Sequence, residues 1–225
     1  MPKDDVVTQL FKHIGILDKL SLHSSLEATH DMVKYWHYHS GDSIQASIYK
    51  PLTLSLMNDL DHPSKELFGG CLNEAVSNVL DHAYIGNEGK NMPEELRKWW
   101  MFSQHKDGRF FVAIYDHGMS VPASLETSAQ WADIVRMIHK KDSRLIETAL
   151  RSPRTRTRLE HRGKGLPEML EFSKEMKDGG LIILSRKGGL EYKARYKSFK
   201  RRKYSTKLPG TLVIWSIPSV SGQSI

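Results

Sequence analysis

Residues 73–84 read Asn-Glu-Ala-Val-Ser-Asn-Val-Leu-Asp-His-Ala-Tyr, and their spacing predicts an amphipathic helix. Neighbours three and four residues apart stack on one face of a helix, so Glu74, Asn78 and Asp81 form a polar stripe. A carboxylate one turn from an amide suits a general base beside an oxygen ligand for Mg²⁺. The helix alone fits an ordinary surface helix with a solvated polar face more readily than a site. The apolar residues of the other side are Leu72, Ala75, Val76, Val79, Leu80 and Ala83.

Length and composition indicate one soluble globular domain. The 225 residues, 39% hydrophobic and 26% charged, are enough for one sizeable core with an additional amino-terminal segment. No apolar run is long enough to cross a membrane, and the start, Met-Pro-Lys-Asp-Asp, lacks the apolar stretch of a secretory signal. The single Cys71 cannot form an internal disulfide. We therefore expect a cytoplasmic protein with no membrane partner.

The net charge of +7 is concentrated in two clusters. Residues 151–164 carry six Lys or Arg against one acid. Because glycines lie next to these cations, the segment could bind the phosphate groups of a small ligand. Residues 193–207 carry eight Lys or Arg and no acid, interleaved with aromatic residues. A solvated pair of basic strands is the simpler interpretation of the second cluster, and a nucleic-acid-binding module is the alternative.

The amino-terminal third is predicted to be mainly helical. A helix over 4–20 is followed by a short strand over 20–23 and by a second helix from Ser24 or Ser25 to Tyr38, which Gly41 ends. His37 and His39 would then point away from each other, which argues against a zinc pair. Residues 42–62 favour neither helix nor strand. A long helix is predicted from Ser64 to Tyr84.

The remainder alternates strands and helices. The order implies an α+β sandwich, with a mixed, mostly antiparallel sheet covered on one face by helices. We divide the chain into an extension at 1–62, which includes the first strand and helix of the sandwich, and a main domain at 63–218. The predicted strands are 99–104, 109–115, 181–186, 192–196 and 211–217, the helices are 129–150 and 166–177, and the turns are 105–108, 188–189 and 209–210.

Three glycine-bearing stretches follow residues 73–84 along the sequence. In Asp116-His-Gly118-Met-Ser120, a carboxylate at a strand end can accept a hydrogen bond from an exocyclic amine such as that of adenine. In Arg162-Gly163-Lys164-Gly165-Leu166, glycines ahead of a helix free backbone N–H groups for an anion. The third, Gly210-Thr211, opens the last strand. Each stretch is weak evidence alone, and together their order indicates a nucleotide pocket.

In this order, the four stretches resemble the Bergerat-type ATP-binding fold of the GHKL superfamily, which comprises gyrase, heat-shock chaperones, histidine kinases and MutL. Residues 73–84 are similar to its N box, 116–120 to its first glycine box, 163–166 to its second and 210–211 to its last. The resemblance spans roughly residues 64–217. The ending His82-Ala83-Tyr84 looks like that of the anti-sigma-factor serine kinases and their stand-alone bacterial relatives.

The resemblance implies two ligands, ATP and Mg²⁺, and a role for each matching residue. Glu74 would be the base that activates the attacking hydroxyl or water, Asn78 would ligate Mg²⁺, and Asp81 would lie near the nucleotide. Asp116 would bind the adenine amine, with Thr211 helping through a water. The other nucleotide contacts implied are Gly118, Arg162, Gly163, Lys164, Gly165 and Leu166.

Two departures from the family pattern stand out. Ser120 replaces the second glycine of the first glycine box, a change that the anti-sigma branch also tolerates. Residues 121–161 are longer than the matching segment of the small anti-sigma kinases and are expected to form a large lid. Within this lid, three arginines are candidates for phosphate or partner contacts, or are simply solvated: Arg154, Arg156 and Arg158.

The resemblance implies that the chain phosphorylates or regulates a protein partner, as anti-sigma-type serine kinases do. One alternative is a slow ATPase or a nucleotide sensor that switches by lid closure or by forming a homodimer. Another is nucleic-acid binding through residues 193–207. A complete sensor histidine kinase is not expected, because residues 1–60 are too short and irregular for a long dimerisation helix pair.

Overall fold

The protein is α+β, built on a five-stranded antiparallel open sheet with seven α-helices in the described residues. The computed structural model describes residues 2–30, 33, 36–44, 65–85, 92–128, 131–139, 141–152 and 165–219. Within those ranges, no helix combines the length and the apolar character needed to cross a bilayer. The predicted α+β class is confirmed, and the described sheet is antiparallel throughout instead of mixed.

The sheet order is β1-β2-β3-β5-β4. The predicted hairpin between β2 and β3 is confirmed, and both of its turn residues, Asp107 and Gly108, have positive φ, at 51° and 67°. This is the geometry that matches the twist of the flanking strands. The strands are β1 Trp36–Gly41, β2 Trp99–Lys106, β3 Arg109–Asp116, β4 Gly180–Lys193 and β5 Ser198–Pro218.

The predicted long helix is present as α3 Lys65–Asn78, which continues as a π-helical turn over Val79–Ala83. The helix predicted over 166–177 is also present, as α7 Gly165–Glu175. The other helices are α1 Asp5–His13, α2 Ile16–Lys19, α4 Val121–Glu126, α5 Ala132–Met137 and α6 Asp142–Arg151. Short 3₁₀ turns occur at Glu94–Leu96 and Ala194–Tyr196.

One face of the sheet carries the main hydrophobic core, which α3, α6 and α7 cover. Phe68 of α3 is in its middle, with its ring centroid 5.2 Å from that of Phe172 on α7 and 5.8 Å from that of Trp215 on β5. The predicted apolar side of α3 is buried here, as its helical spacing requires. A smaller cluster joins α4, α5 and α6 through Leu125, Val135, Leu145 and Ala149.

Several amino-terminal predictions are wrong. Gly15 has φ +73° and divides the predicted helix 4–20 into α1 and α2. Residues 20–23 form no strand, and residues 24–30, the first part of the second predicted helix, form no helix. Residues 36–38 belong to β1 instead of a helix, because pairing with β2 dominates, and the rings of Tyr38 and Phe102 lie 5.2 Å apart. Since alternate strand residues share a face, His37 and His39 point the same way, contrary to the prediction.

The carboxyl-terminal turns were also misplaced. Gly188 and Gly189 lie within β4, and Pro209 and Gly210 lie within β5, so both predicted turns are wrong. The chain reverses at Ala194–Lys197 instead, which makes the predicted strand 192–196 wrong in its second half. A Cβ built on Gly188 would lie 2.6 Å from the backbone nitrogen of Ser143, so this glycine marks close packing against α6. The predicted helix 129–150 is two helices, and α4 was not predicted. Residues 45–62, most of the undecided stretch, lie outside the described residues.

Candidate functional site

Helix α3 places Glu74 and Asn78 against the first residue of α7. A Cβ built on Gly165 would lie 2.6 Å from Nδ2 of Asn78 and 2.8 Å from Oε2 of Glu74. The two side chains are four residues apart, so they share one face of α3, and the packing of α3 on α7 brings that face to the glycine. Any side chain at position 165 would have to displace both polar groups.

The amide nitrogen of Asn78 is buried, and among the described residues it has no hydrogen-bond partner. Leaving a buried polar group unpaired costs roughly 1–3 kcal/mol. An unpaired atom of this kind needs an explanation, such as a hydrogen-bond partner that a bound ligand would supply. Its neighbours are a carboxylate and the amino end of a helix, where backbone N–H groups favour an anion. This end of the site therefore has the chemistry to receive phosphate oxygens.

The carboxyl-terminal continuation of the same helix contacts the first glycine stretch. Beyond Asn78 the helix widens into a π-helical turn, a feature frequent at functional sites. The carbonyl of Ala83 in this turn accepts a 2.5 Å hydrogen bond from the backbone N–H of Met119. A Cβ on Gly118 would lie 2.1 Å from that carbonyl oxygen, so only glycine permits the approach. The π-helical turn thereby holds the loop that follows Asp116.

Asp116 ends β3, and its carboxyl group is almost entirely buried at 7% exposure. Its Oδ1 accepts a 2.9 Å hydrogen bond from the N–H of Gly118, and the backbone N–H of Thr211 also donates to the carboxyl group. Burial raises the pKa of Asp116 to about 7, and these two hydrogen bonds partly offset that rise. A buried carboxyl with spare acceptor capacity suits an amine donor such as that of adenine.

Thr211 lies directly opposite Asp116 in the pairing of β3 with β5. Its hydroxyl lies 3.1 Å from the hydroxyl of Ser185 on β4, which donates to the carbonyl of Gly210 at 2.8 Å and accepts from the N–H of Val121 at 3.1 Å. Ser185 was not predicted as a site residue. The signal that could have found it is a small polar residue at a buried position of the apolar run 181–186.

Tyr84 and Tyr115 fix the strand end that carries Asp116. The Tyr84 hydroxyl donates to the carbonyl of Lys98 at 2.5 Å and accepts from the N–H of His117 at 3.2 Å, and burial raises its pKa to about 12. The hydroxyl of Tyr115 donates to the carbonyl of Pro209 at 2.9 Å and lies 3.1 Å from Nδ1 of His117. His117 is thus held by its neighbours at the edge of the site.

Comparisons with known proteins add no relative. The chain matches no family model, no curated protein and no solved structure. The interpretation of the site therefore rests on its geometry and on the order of its motifs.

The structure brings together Glu74, Asn78 and Gly165 at one end, and Asp116, Gly118 and Thr211 at the other. Asp81 is exposed and forms no hydrogen bond or ion pair with the described residues. Leu166 packs against both apolar clusters, so its side chain belongs to the core. The remaining predicted positions lie outside the described residues: Arg154, Arg156, Arg158, Arg162, Gly163 and Lys164.

Ser120, which replaces a glycine of the expected pattern, has a structural role. It is buried and is the N-cap of α4, where its hydroxyl accepts a 3.3 Å hydrogen bond from the N–H of Ala123. Ser is a preferred N-cap because it satisfies one of the free N–H groups of the first turn. The departure therefore serves the start of a helix at this position.

The oxygen donors present fit Mg²⁺ better than a softer metal. In the described ranges, no group of three or more His, Cys, Asp or Glu side chains could hold a metal ion. Mg²⁺ characteristically takes one or two protein oxygens together with waters and substrate phosphates. The side-chain oxygen of Asn78 is that kind of donor, and the carboxylate of Glu74 lies one helical turn away on the same face of α3.

Proposed function

We propose that this chain is a Mg-ATP-binding protein of the histidine-kinase-like, Bergerat-fold type, which phosphorylates or otherwise regulates a protein partner in the cytoplasm. The observation that supports the proposal is the meeting of four segments far apart in the sequence. One helix presents Glu74 and Asn78 to Gly165, and the π-helical turn that continues it holds the loop after Asp116, which lies opposite Thr211. These are the segments that the motif order predicts for a nucleotide pocket.

The spacing along α3 suits a nucleotide. At about 1.5 Å per residue, Asn78 and Glu74 lie roughly 7 and 13 Å along the helix from Ala83, which contacts the adenine end. The buried carboxyl of Asp116 would accept from the adenine amine. The triphosphate would then extend toward Gly165, where α7 begins.

The proposed reaction is transfer of the terminal phosphoryl group to a Ser or Thr hydroxyl of the partner. The hydroxyl oxygen bonds to the γ-phosphorus, the bond from that phosphorus to the β–γ bridging oxygen breaks, and ADP leaves. Glu74 accepts the hydroxyl proton. Mg²⁺, held by the Asn78 oxygen together with the phosphates, would neutralise phosphate charge.

Calorimetric titration of ATP in the presence of Mg²⁺ tests the proposed site. We expect Asn78→Ala to weaken ATP binding at least tenfold, because it removes the amide at the phosphate end. Asn73→Ala is the matched control, since Asn73 is exposed on the same helix. Binding of ATP that is equal in the two variants and the wild type would contradict the proposal.

Labelled ATP separates the reactions that such a site supports. Label on a candidate partner protein indicates a kinase, free phosphate indicates a slow ATPase, and binding without turnover indicates a nucleotide sensor. Glu74→Gln should abolish either reaction while ATP still binds, because it removes the base and keeps the size of the side chain. Unchanged turnover in that variant would rule out Glu74 as the base.

A further inference from the structure

A second concave surface lies between the later part of α7, the end of α6 and the β4–β5 hairpin. Its volume is about 540 Å³, within the range of clefts that hold ligands. It includes none of the residues of the candidate nucleotide site. We call it the basic cavity, and its lining is Arg151, Leu170, Lys174, Tyr192, Lys197 and Phe199.

The floor of the basic cavity is apolar and aromatic. Leu170 and Tyr192 belong to the main core at 2% and 3% exposure, and the rings of Tyr192 and Phe199 lie 5.0 Å apart. The guanidinium carbon of Arg151 lies 4.5 Å from the centroid of the Phe199 ring. The floor can therefore receive an aromatic or aliphatic side chain.

The rim carries more positive charge than its own acids neutralise. Arg151 pairs with Glu147 at 3.1 Å and Lys174 pairs with Glu171 at 2.7 Å. Lys197 is exposed and forms no ion pair with any described residue. The hydroxyl of the buried Tyr192 likewise has no hydrogen-bond partner in the described ranges, which leaves a donor at the cavity. The combination favours an anionic group attached to an apolar body.

The cavity is close to the phosphate end of the nucleotide site. Helix α7 begins at Gly165, and Leu170 and Lys174 follow five and nine residues later, which is roughly 8 and 14 Å along the axis. An extended peptide covers these distances in about two to four residues at ~3.4 Å each. A peptide seated in the cavity can thus place a neighbouring hydroxyl at the phosphates.

We propose that the basic cavity docks an acidic segment of the protein partner, with carboxylates at the rim and an aromatic or aliphatic side chain on the floor. This inference rests on the proposed function, because it assigns the docking site of the same partner. A nucleic acid fits less well, because the guanidinium of Arg151 already covers one face of the Phe199 ring and closes that face to a stacking base.

Fluorescence anisotropy with the full chain tests the docking site without ATP. The probe is a fluorescein-labelled hexapeptide of alternating Asp and Phe. We expect the double variant Lys174→Gln, Lys197→Gln to weaken its binding at least tenfold. The control Lys200→Gln, Lys207→Gln removes equal charge from the same hairpin, outside the cavity, and should change binding less than threefold. A hexapeptide of alternating Asp and Gly should bind at least fivefold more weakly than the probe.

Three outcomes would overturn the docking site: no binding of the probe, equal losses in the two double variants, or tighter binding of single-stranded DNA that both variants weaken alike. The DNA outcome would favour a nucleic-acid interface. ATP titration of the same variants separates this inference from the proposed function, because the cavity variants should bind ATP as the wild type does. If the peptide binds and ATP does not, the proposed nucleotide site is wrong and the docking site for an acidic segment stands.

Discussion

Asp116 is a buried carboxyl whose environment in the free protein fits the proposed role of binding a ligand amine. Its carboxyl is buried, and burial raises its pKa to about 7 despite hydrogen bonds from Gly118 and Thr211. Above neutral pH the protein therefore holds a buried charge without an ionic partner in the described ranges. An amine donor from a bound base would stabilise that charge, so the residue favours the liganded state.

Because the buried carboxylate of Asp116 has no ionic partner in the described ranges, the effect of Asp116→Asn on stability should depend on pH. The pKa of Asp116 in the folded protein lies above its unfolded value of 3.8, so the folded state binds more protons between these two pH values. Protonation of Asp116 therefore stabilises the wild type at low pH, and this stabilisation is lost as pH rises toward 7. The free energy of unfolding should shift in favour of the variant by about 1–4 kcal/mol between pH 4 and pH 8. Urea unfolding of both proteins measures the shift, and a constant difference across this range would contradict the raised pKa.

Gly165 is the second residue whose identity the site requires. Gly165→Ala would push against the side-chain ends of Glu74 and Asn78, which can move, so we expect ATP affinity to fall at least tenfold with little loss of stability. Gly70→Ala is the control, because its Cβ would meet nothing within 4 Å on α3. That change should stabilise the protein by about 0.5–1 kcal/mol and leave ATP binding unchanged. Thermal melting and ATP titration of both variants test the pair, and equal ATP affinity would contradict it.

At the scale of elements, Ser185 joins three segments that surround the candidate site. Its hydroxyl links β4 to the Gly210 carbonyl and the Thr211 hydroxyl of β5, and it also accepts from Val121 at the start of α4. The strand pairing already sets Thr211 opposite Asp116. Ser185 adds the connection to the helix that follows the first glycine stretch.

We expect Ser185→Ala to lower the free energy of unfolding by about 1–3 kcal/mol, because it leaves the partly buried N–H of Val121 without its acceptor. Ser103→Ala is the matched control. Ser103 is equally a buried strand serine, but its hydroxyl has no hydrogen-bond partner in the described part of the chain. Its removal should be neutral or slightly stabilising, and denaturant unfolding that shows equal losses in the two variants would contradict this role for Ser185.

Elements with strong local signals were predictable from the sequence. The spacing of apolar residues in α3 and α7 and the Asp107-Gly108 turn all favour the structure that forms. The β1 strand was missed because its pairing with β2 is a long-range contact that overrides local helical signals. The turn predicted in β4 was wrong for another reason. Gly188 permits close packing against α6, and the chain does not reverse there.

At the scale of the molecule, the sheet and its covering helices bring the candidate site together from four distant segments. The resemblance to the Bergerat fold implied one site for Glu74, Gly165, Asp116 and Thr211, and the structure brings Glu74 close to Gly165 and Asp116 opposite Thr211. The hydrogen bonds of Ser185 and the cap role of Ser120 were not predictable, because each depends on which backbone N–H lies within reach after folding. The basic cavity was likewise hidden, since its residues come from two helices and a hairpin.

Hydrogen exchange of the full chain, with and without Mg-ATP, tests the central claim most directly. If the four segments form one nucleotide site, Mg-ATP should slow amide exchange together in residues 74–84, 116–120, 165–170 and 210–212. The hairpin residues 198–207 should exchange as before. Exchange that is unchanged in the four segments, or slowed only in the hairpin, would contradict the account.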